Sequence, residues 1–129
     1  VNKYNKAIHS SDVEWVILPD HGRTGNALTT FQVNSPDIPL TGNSPRTEYK
    51  IKISDTGTYR LLLHFSPTLN FHNDGGLLCA VSIDGDSPQI ISLHAEDQSV
   101  RTWESWVANN IIIRSSSHRI LKTGKHTIK

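Results

Sequence analysis

The chain is 129 residues long and balances 13 Lys and Arg against 12 Asp and Glu, a formal net charge of +1. That near-neutral balance argues against a nucleic-acid partner, whose phosphates are normally met by a clear basic excess. Hydrophobic residues at 36% and charged residues at 19% describe a globular, rather polar chain, one domain over residues 1–129 with room for a sizeable core. No apolar run approaches the roughly 20 residues of a membrane helix, so no membrane partner is expected.

In chain order, residues 13–17 alternate around Trp15 and read as a strand closed by Pro19. Residues 19–26 read as a glycine-bearing loop, and 27–33 as a second strand. Residues 34–47 carry Pro36, Pro39, Gly42 and Pro45, a connecting loop. Tyr49, Ile51 and Ile53 alternate with Lys50 and Lys52, the period of a half-buried strand. Turn residues follow at 54–57, then a strand over 58–65, so a hairpin is expected.

Pro67 ends that strand, and residues 66–76 form a long polar loop. Residues 77–83 are nearly continuously apolar, a buried strand. Asp84, Gly85 and Asp86 turn the chain into a partner strand over 88–93. Around Trp103 the signals conflict. Trp103, Val107 and Ile111 are spaced four apart, whereas Ile111, Ile112 and Ile113 favour a strand. The reading is one helical turn or a loop at 101–106, running into a strand at 107–114. Ser115, Ser116 and Ser117 loosen the chain, 118–121 is short and extended, and 125–128 begins a last strand. Short strands with frequent turns mean an all-β chain, a β-sandwich. The sequence opens at Val1 without a signal peptide or any Met, and stops inside a strand. A processed or excised piece is therefore expected, with the last strand of the sandwich lacking.

Catalytic signatures are absent: there is no G-x-S-x-G elbow, P-loop or H-E-x-x-H. No paired acid and base stands out either, so the chain alone is not expected to be an enzyme. The seven histidines are scattered without metal-ligand spacing. His64 and His126 sit in predicted strands and read as structural. Asp84, Asp86, Glu96 and Asp97 could touch a Ca²⁺ ion, but the rest of the EF-hand pattern is missing. They read as turn residues, and no cofactor or metal is expected. The single cysteine, Cys79, allows no internal disulfide and reads as a small buried hydrophobe.

The loops offer material for binding. Residues 19–26 supply His21 and Arg23, and residues 66–76 supply Asn70, His72 and Asp74 beside Phe71. Amides, acids and Arg reach sugar hydroxyls, while aromatic faces cover C–H patches. The planar fork of Arg23 matches a carboxylate. The plainer alternative is a solvated loop in which Arg23 pairs with a neighbouring acid. Of the three tryptophans, Trp15 and Trp103 read as core and Trp106 as the exposed sugar platform.

Residues 15–19 (WVILP) followed by Gly22, Arg23, Thr24 and Gly25 resemble the opening of the C-terminal domain of glycoside hydrolase family 115, the xylan α-1,2-glucuronidases. The resemblance continues through Glu48-Tyr49, Gly57-Thr58-Tyr59, residues 67–70 (PTLN), 76–84 (GLLCAVSID) and 87–90 (SPQI). It extends over Trp103, Val107 and Asn110 to residues 124–128 (GKHTI), nearly the whole chain from Val13 onward. The implied fold is a jelly-roll-like, carbohydrate-binding-module-like β-sandwich. It would sit at the end of a large periplasmic or secreted enzyme that removes 4-O-methyl-glucuronic acid from glucuronoxylan. The family's catalytic residues belong to a barrel domain, so none is carried over. The implied role is non-catalytic: dimer contacts, or shaping of substrate access. The implied partners are the catalytic domain, a second copy of the chain, and plant cell-wall glucuronoxylan or a related glycan. An autonomous glycan-binding module is the alternative.

Overall fold

The computed structural model describes residues 4–31, 38–40, 44–70 and 75–129. Among these the fold is all-β, with nine strands and one short helix. The strands are β1 (Lys6–Ile8), β2 (Glu14–Gly22), β3 (Gly25–Phe31), β4 (Arg46–Ile53), β5 (Gly57–Phe65), β6 (Leu78–Val81), β7 (Gln89–Ser92), β8 (Ile112–Ile120) and β9 (Gly124–Ile128). The helix, α1, spans Val100–Asn109. The chain forms two compact units. One contains β1 to β4, β9 and the Ile83–Gly85 segment; the other contains β5 to β8 and α1.

In the first unit, β4 is the centre of a three-stranded antiparallel sheet, β1-β4-β9. Lys6 faces Glu48 on one side, and Tyr49 faces Ile128 on the other. β2 and β3 form a separate hairpin. Among the described residues, Val13, Ile53 and Ile83 are the buried apolar ones of this unit. Trp15 is only half-buried, a correction to its expected place in the core, and its indole Nε1 has no hydrogen-bond partner.

The expected hairpin of β4 with β5 does not form. The chain crosses from one unit to the other between Ser54 and Asp55, and each strand finds a distant partner. β5 pairs along its whole length with β8, from Gly57↔Ile120 to Phe65↔Ile112. A nine-residue antiparallel ladder offers more cross-strand contacts than a short local turn can. The second expected hairpin is present: β6 pairs with β7, with Cys79 opposite Ile91.

Residues 115–117 do not loosen the chain, because they lie in the middle of β8. That strand alternates strictly, with Ile112, Arg114, Ser116, His118 and Ile120 buried and the residues between them exposed. Its buried polar groups are satisfied. The His118 ring meets the Ser116 hydroxyl at 2.8 Å. The Gln89 amide brackets the Ser117 backbone, donating to its carbonyl at 2.6 Å and accepting from its N–H at 3.2 Å. β7 is thereby fixed to β8.

The helix is longer than one turn and takes in residues 107–109, which the sequence reading gave to a strand. Ser99 caps its start by accepting from the Thr102 N–H, and Asn110 ends it with φ 51°. Trp106 is its buried residue, at 9% exposure, while Trp103 is half-buried. This reverses the expected roles. The inward stripe runs through 102, 103 and 106, and Val107 points out. With Val81, Ile91, Leu93, Ile111, Ile112 and Ile120, Trp106 makes the apolar core of this unit.

Candidate functional site

The β2–β3 hairpin presents the first candidate residues. Its register pairs Leu18 with Ala27 and next Gly22 with Gly25, so Pro19, Asp20 and His21 bulge opposite Asn26 alone. Asp20 takes φ 55°, and its N–H donates to Asn26 Oδ1 at 3.2 Å. A Cβ at Gly22 would lie 2.4 Å from the Asn26 carbonyl oxygen, so that position accepts only glycine. Residues 19–26 are therefore the bulged tip of a hairpin with Arg23 and Thr24 as its turn, a correction to the expected loop.

His21 and Arg23 are both exposed at this tip. Arg23 makes no ion pair among the described residues.

The second candidate segment lies in the other unit. Asn70 is half-buried and engaged in an interaction. Phe71, His72 and Asp74 lie outside the described residues. The flanks of that segment converge on His94, which sequence reasoning missed. His94 Nε2 meets the Thr68 carbonyl at 2.8 Å, and Nδ1 accepts the Leu77 N–H at 3.2 Å. One nitrogen donates and the other accepts, which fixes the neutral Nε2–H tautomer. Ser92 adds a bond from its hydroxyl to the Gly75 carbonyl at 3.1 Å. Gly76, at φ +71°, lies so near His94 that a Cβ would fall 2.5 Å from Nδ1.

Behind His94 is Trp106, with ring centroids 6.3 Å apart. The Arg114 guanidinium covers the indole at 5.1 Å from its centroid. Arg114 also donates to the carbonyls of Ser92, Leu93 and Ile113, and reaches Glu96 at 3.3 Å. Trp106 is thus buried under Arg114 rather than exposed, a correction to its reading as an open sugar platform. No sequence pattern marks Arg114 or His94, because most of their partners are backbone groups set by tertiary folding.

Asp84 is engaged within the fold. Its carboxylate accepts the Thr127 N–H at 2.8 Å and meets His126 Nδ1 at 2.7 Å. The Thr127 bond, followed by His126, holds the Asp84 carboxyl below its ordinary range. Among the described residues no group of three or more His, Cys, Asp or Glu could hold a metal ion. Burial pushes the Cys79 thiol up, as suits a packed side chain rather than a nucleophile.

Over its full length, residues 1–129, the chain matches the glycosyl hydrolase family 115 C-terminal domain. The chain belongs to that family. A solved structure similar to this family 115 domain is that of BtGH115A, a 4-O-methyl-α-glucuronidase with specificity for decorated arabinogalactans. The likeness has a TM-score of 0.58 at 15% identity, and covers 98% of this chain but 15% of the other. It supports the fold assigned here, and the family 115 domain spans 15% of that enzyme's length. None of the curated proteins matches the chain.

Proposed function

We propose that this domain is a non-catalytic accessory module of a family 115 enzyme of the xylan α-1,2-glucuronidase type, providing dimer contacts or shaping substrate access. The observation that carries this reading is the family match across all 129 residues, set against the 15% of the related glucuronidase that the chain covers. The lack of any catalytic motif in the sequence agrees with it. On this reading the partners are the enzyme's catalytic domain, a second copy of the chain and a uronic-acid-bearing cell-wall glycan such as glucuronoxylan, and the location is periplasmic or extracellular. The exposed Arg23 fork, beside His21 at the hairpin tip, is suited to a carboxylate on a partner or a substrate. Burial of Trp106 weighs against an aromatic sugar platform at that position.

The test compares the parent enzyme with and without this domain. Removal should raise KM on glucuronoxylan or dissociate the assembly, and the isolated chain should show no turnover of glucuronoxylan or aldouronic acids. Turnover by the chain alone, abolished by one substitution within it, would overturn the reading.

A further inference from the structure

The β1-β4-β9 sheet has one face that neither the hairpin tip nor the accessory role explains. Opposed residues in an antiparallel pair share a face, as do residues two apart on a strand. The register therefore puts Lys6, Lys50, Lys52 and Lys125 on one side, with Arg46, Glu48 and Thr127, and with Ile8 at the far end opposite Arg46. All four lysines are exposed, and they are four of the seven in the chain. The one acid among them, Glu48, is held by Arg46 at 2.9 Å. None of the four lysines makes an ion pair among the described residues. Lys50, Lys52, Lys125 and Thr127 surround a shallow depression, completed by Ile51 and His126 on the same two strands.

Like charges at this spacing repel, since rows are about 4.8 Å apart across strands and about 6.7 Å apart along one. A chain of net charge +1 thus concentrates positive charge on one sheet face, where Glu48 offsets Arg46 and the four lysines have no ion-pair partner among the described residues. We infer that this face binds an acidic polysaccharide, one whose sugar units carry repeated uronic-acid carboxylates. The choice of a glycan follows from what the face lacks. Ile51 and His126 border the depression, but strand alternation turns both side chains toward the opposite face, and His126 is buried. The lysine face itself therefore offers no exposed aromatic or large aliphatic anchor for the core of a protein interface, no open ring for nucleobase stacking and no apolar wedge for a lipid surface. Ammonium groups and a hydroxyl around an open depression suit a hydrated polymer bound by charge and hydrogen bonds. The inference deepens the proposed function, which already counts a uronic-acid-bearing glycan among the partners, by assigning such a glycan a face apart from the Arg23 tip, and it rests on that reading for the kind of glycan.

The test is affinity electrophoresis of the full chain at low salt, in gels containing polygalacturonate or its fully methyl-esterified form. The two polymers share a backbone and differ in charge. The chain should be retarded by the acid form only, and 0.5 M salt, on the order of a 4 Å Debye length, should release it. Combining K50Q, K52Q and K125Q should weaken retardation roughly tenfold, as expected for three exposed charge contacts. The corresponding Lys→Arg triple should restore it. Combining R60Q, R101Q and R119Q removes the same charge from exposed positions elsewhere and should leave retardation unchanged. Equal losses in the two Gln triples, equal binding to the esterified polymer, or equal retention by DNA would each overturn the inference. None of these outcomes bears on whether deleting the domain impairs the parent enzyme, so the two readings fail separately.

Discussion

His126 Nδ1 lies 2.7 Å from Asp84 Oδ2, while the other Asp84 oxygen accepts the Thr127 N–H at 2.8 Å. The Asp84 N–H in turn donates to the Thr127 carbonyl at 2.7 Å. A half-exposed carboxylate at φ 55° thus fastens the turn after β6 to the last strand. Because the folded state depresses the Asp84 pKa, its contribution is present above the unfolded value of about 3.9. It is lost as pH falls through the lower, folded value. Asp84→Ala should cost about 1 kcal/mol at neutral pH. Asp84→Asn, which keeps an acceptor and tolerates positive φ, should cost less. Thermal melts between pH 3 and 7 should show a shallower acid slope in both variants. An unchanged acid slope would separate Asp84 from the acid response.

Arg114 serves β8 through carbonyls rather than through its acid. Glu96 is 74% exposed, so that ion pair is weak. Glu96→Gln should shift stability by less than about 1 kcal/mol. Arg114→Lys should cost more, about 2 kcal/mol, because a single ammonium cannot meet the Ser92, Leu93 and Ile113 carbonyls and cover Trp106 at once. Denaturant titration of the two variants checks the order. Equal losses would mean that the ion pair, not the carbonyl contacts, holds the strand.

β8 also shows where sequence reasoning stops. Its residues Ser115, Ser116 and Ser117 read as a loosening between two shorter extended pieces, because hydrophobic alternation is the main strand signal and here it is absent. The alternation exists, but its inner positions are filled by polar residues: Arg114 bonds to the carbonyls of Ser92 and Leu93, and Ser116 and His118 bond to each other. The β6–β7 hairpin was legible, since its apolar runs and turn lie close in sequence. The pairing of β4 with β9 was not, since nothing in the residues at 54–57 says that β4 and β5 part. At the candidate site, exposure of His21 and Arg23 could be anticipated from glycine-rich turn chemistry. His94 had no such signal, because it acts on the backbone of a segment far away in sequence.

The tryptophans should separate by stability. Trp106→Ala removes the largest side chain from its core and should cost about 3–5 kcal/mol. Trp15→Phe discards a buried N–H that has no partner, and should be neutral or mildly stabilising. Chemical unfolding of both variants tests this pair. A larger loss at Trp15 would restore its reading as the core residue.

Gly76 reports on the segment that His94 holds. Its φ of +71° and the 2.5 Å approach to His94 Nδ1 make Gly76→Ala costly on two counts. The variant should lose at least about 1 kcal/mol. Hydrogen exchange should speed up at the Leu77 amide, which His94 accepts. A native exchange rate there would mean that His94 does not anchor the segment.

The hairpin tip bears most directly on the accessory role. Arg23 is exposed and unpaired among the described residues, so Arg23→Ala should leave stability within about 0.5 kcal/mol. On the proposed role its effect should appear only in the parent enzyme, as a raised KM or a weaker dimer, because the guanidinium fork would then act on a group outside this chain. Gly22→Ala provides the geometric control. Its Cβ would meet the Asn26 carbonyl oxygen at 2.4 Å and displace the bulge that presents His21. It should therefore reproduce the Arg23→Ala phenotype with both side chains still present, at some cost in stability. Normal KM and normal assembly in Arg23→Ala would remove Arg23 from the functional surface. A defect in Gly22→Ala alone would then assign the tip's role to the shape of the bulge and to His21.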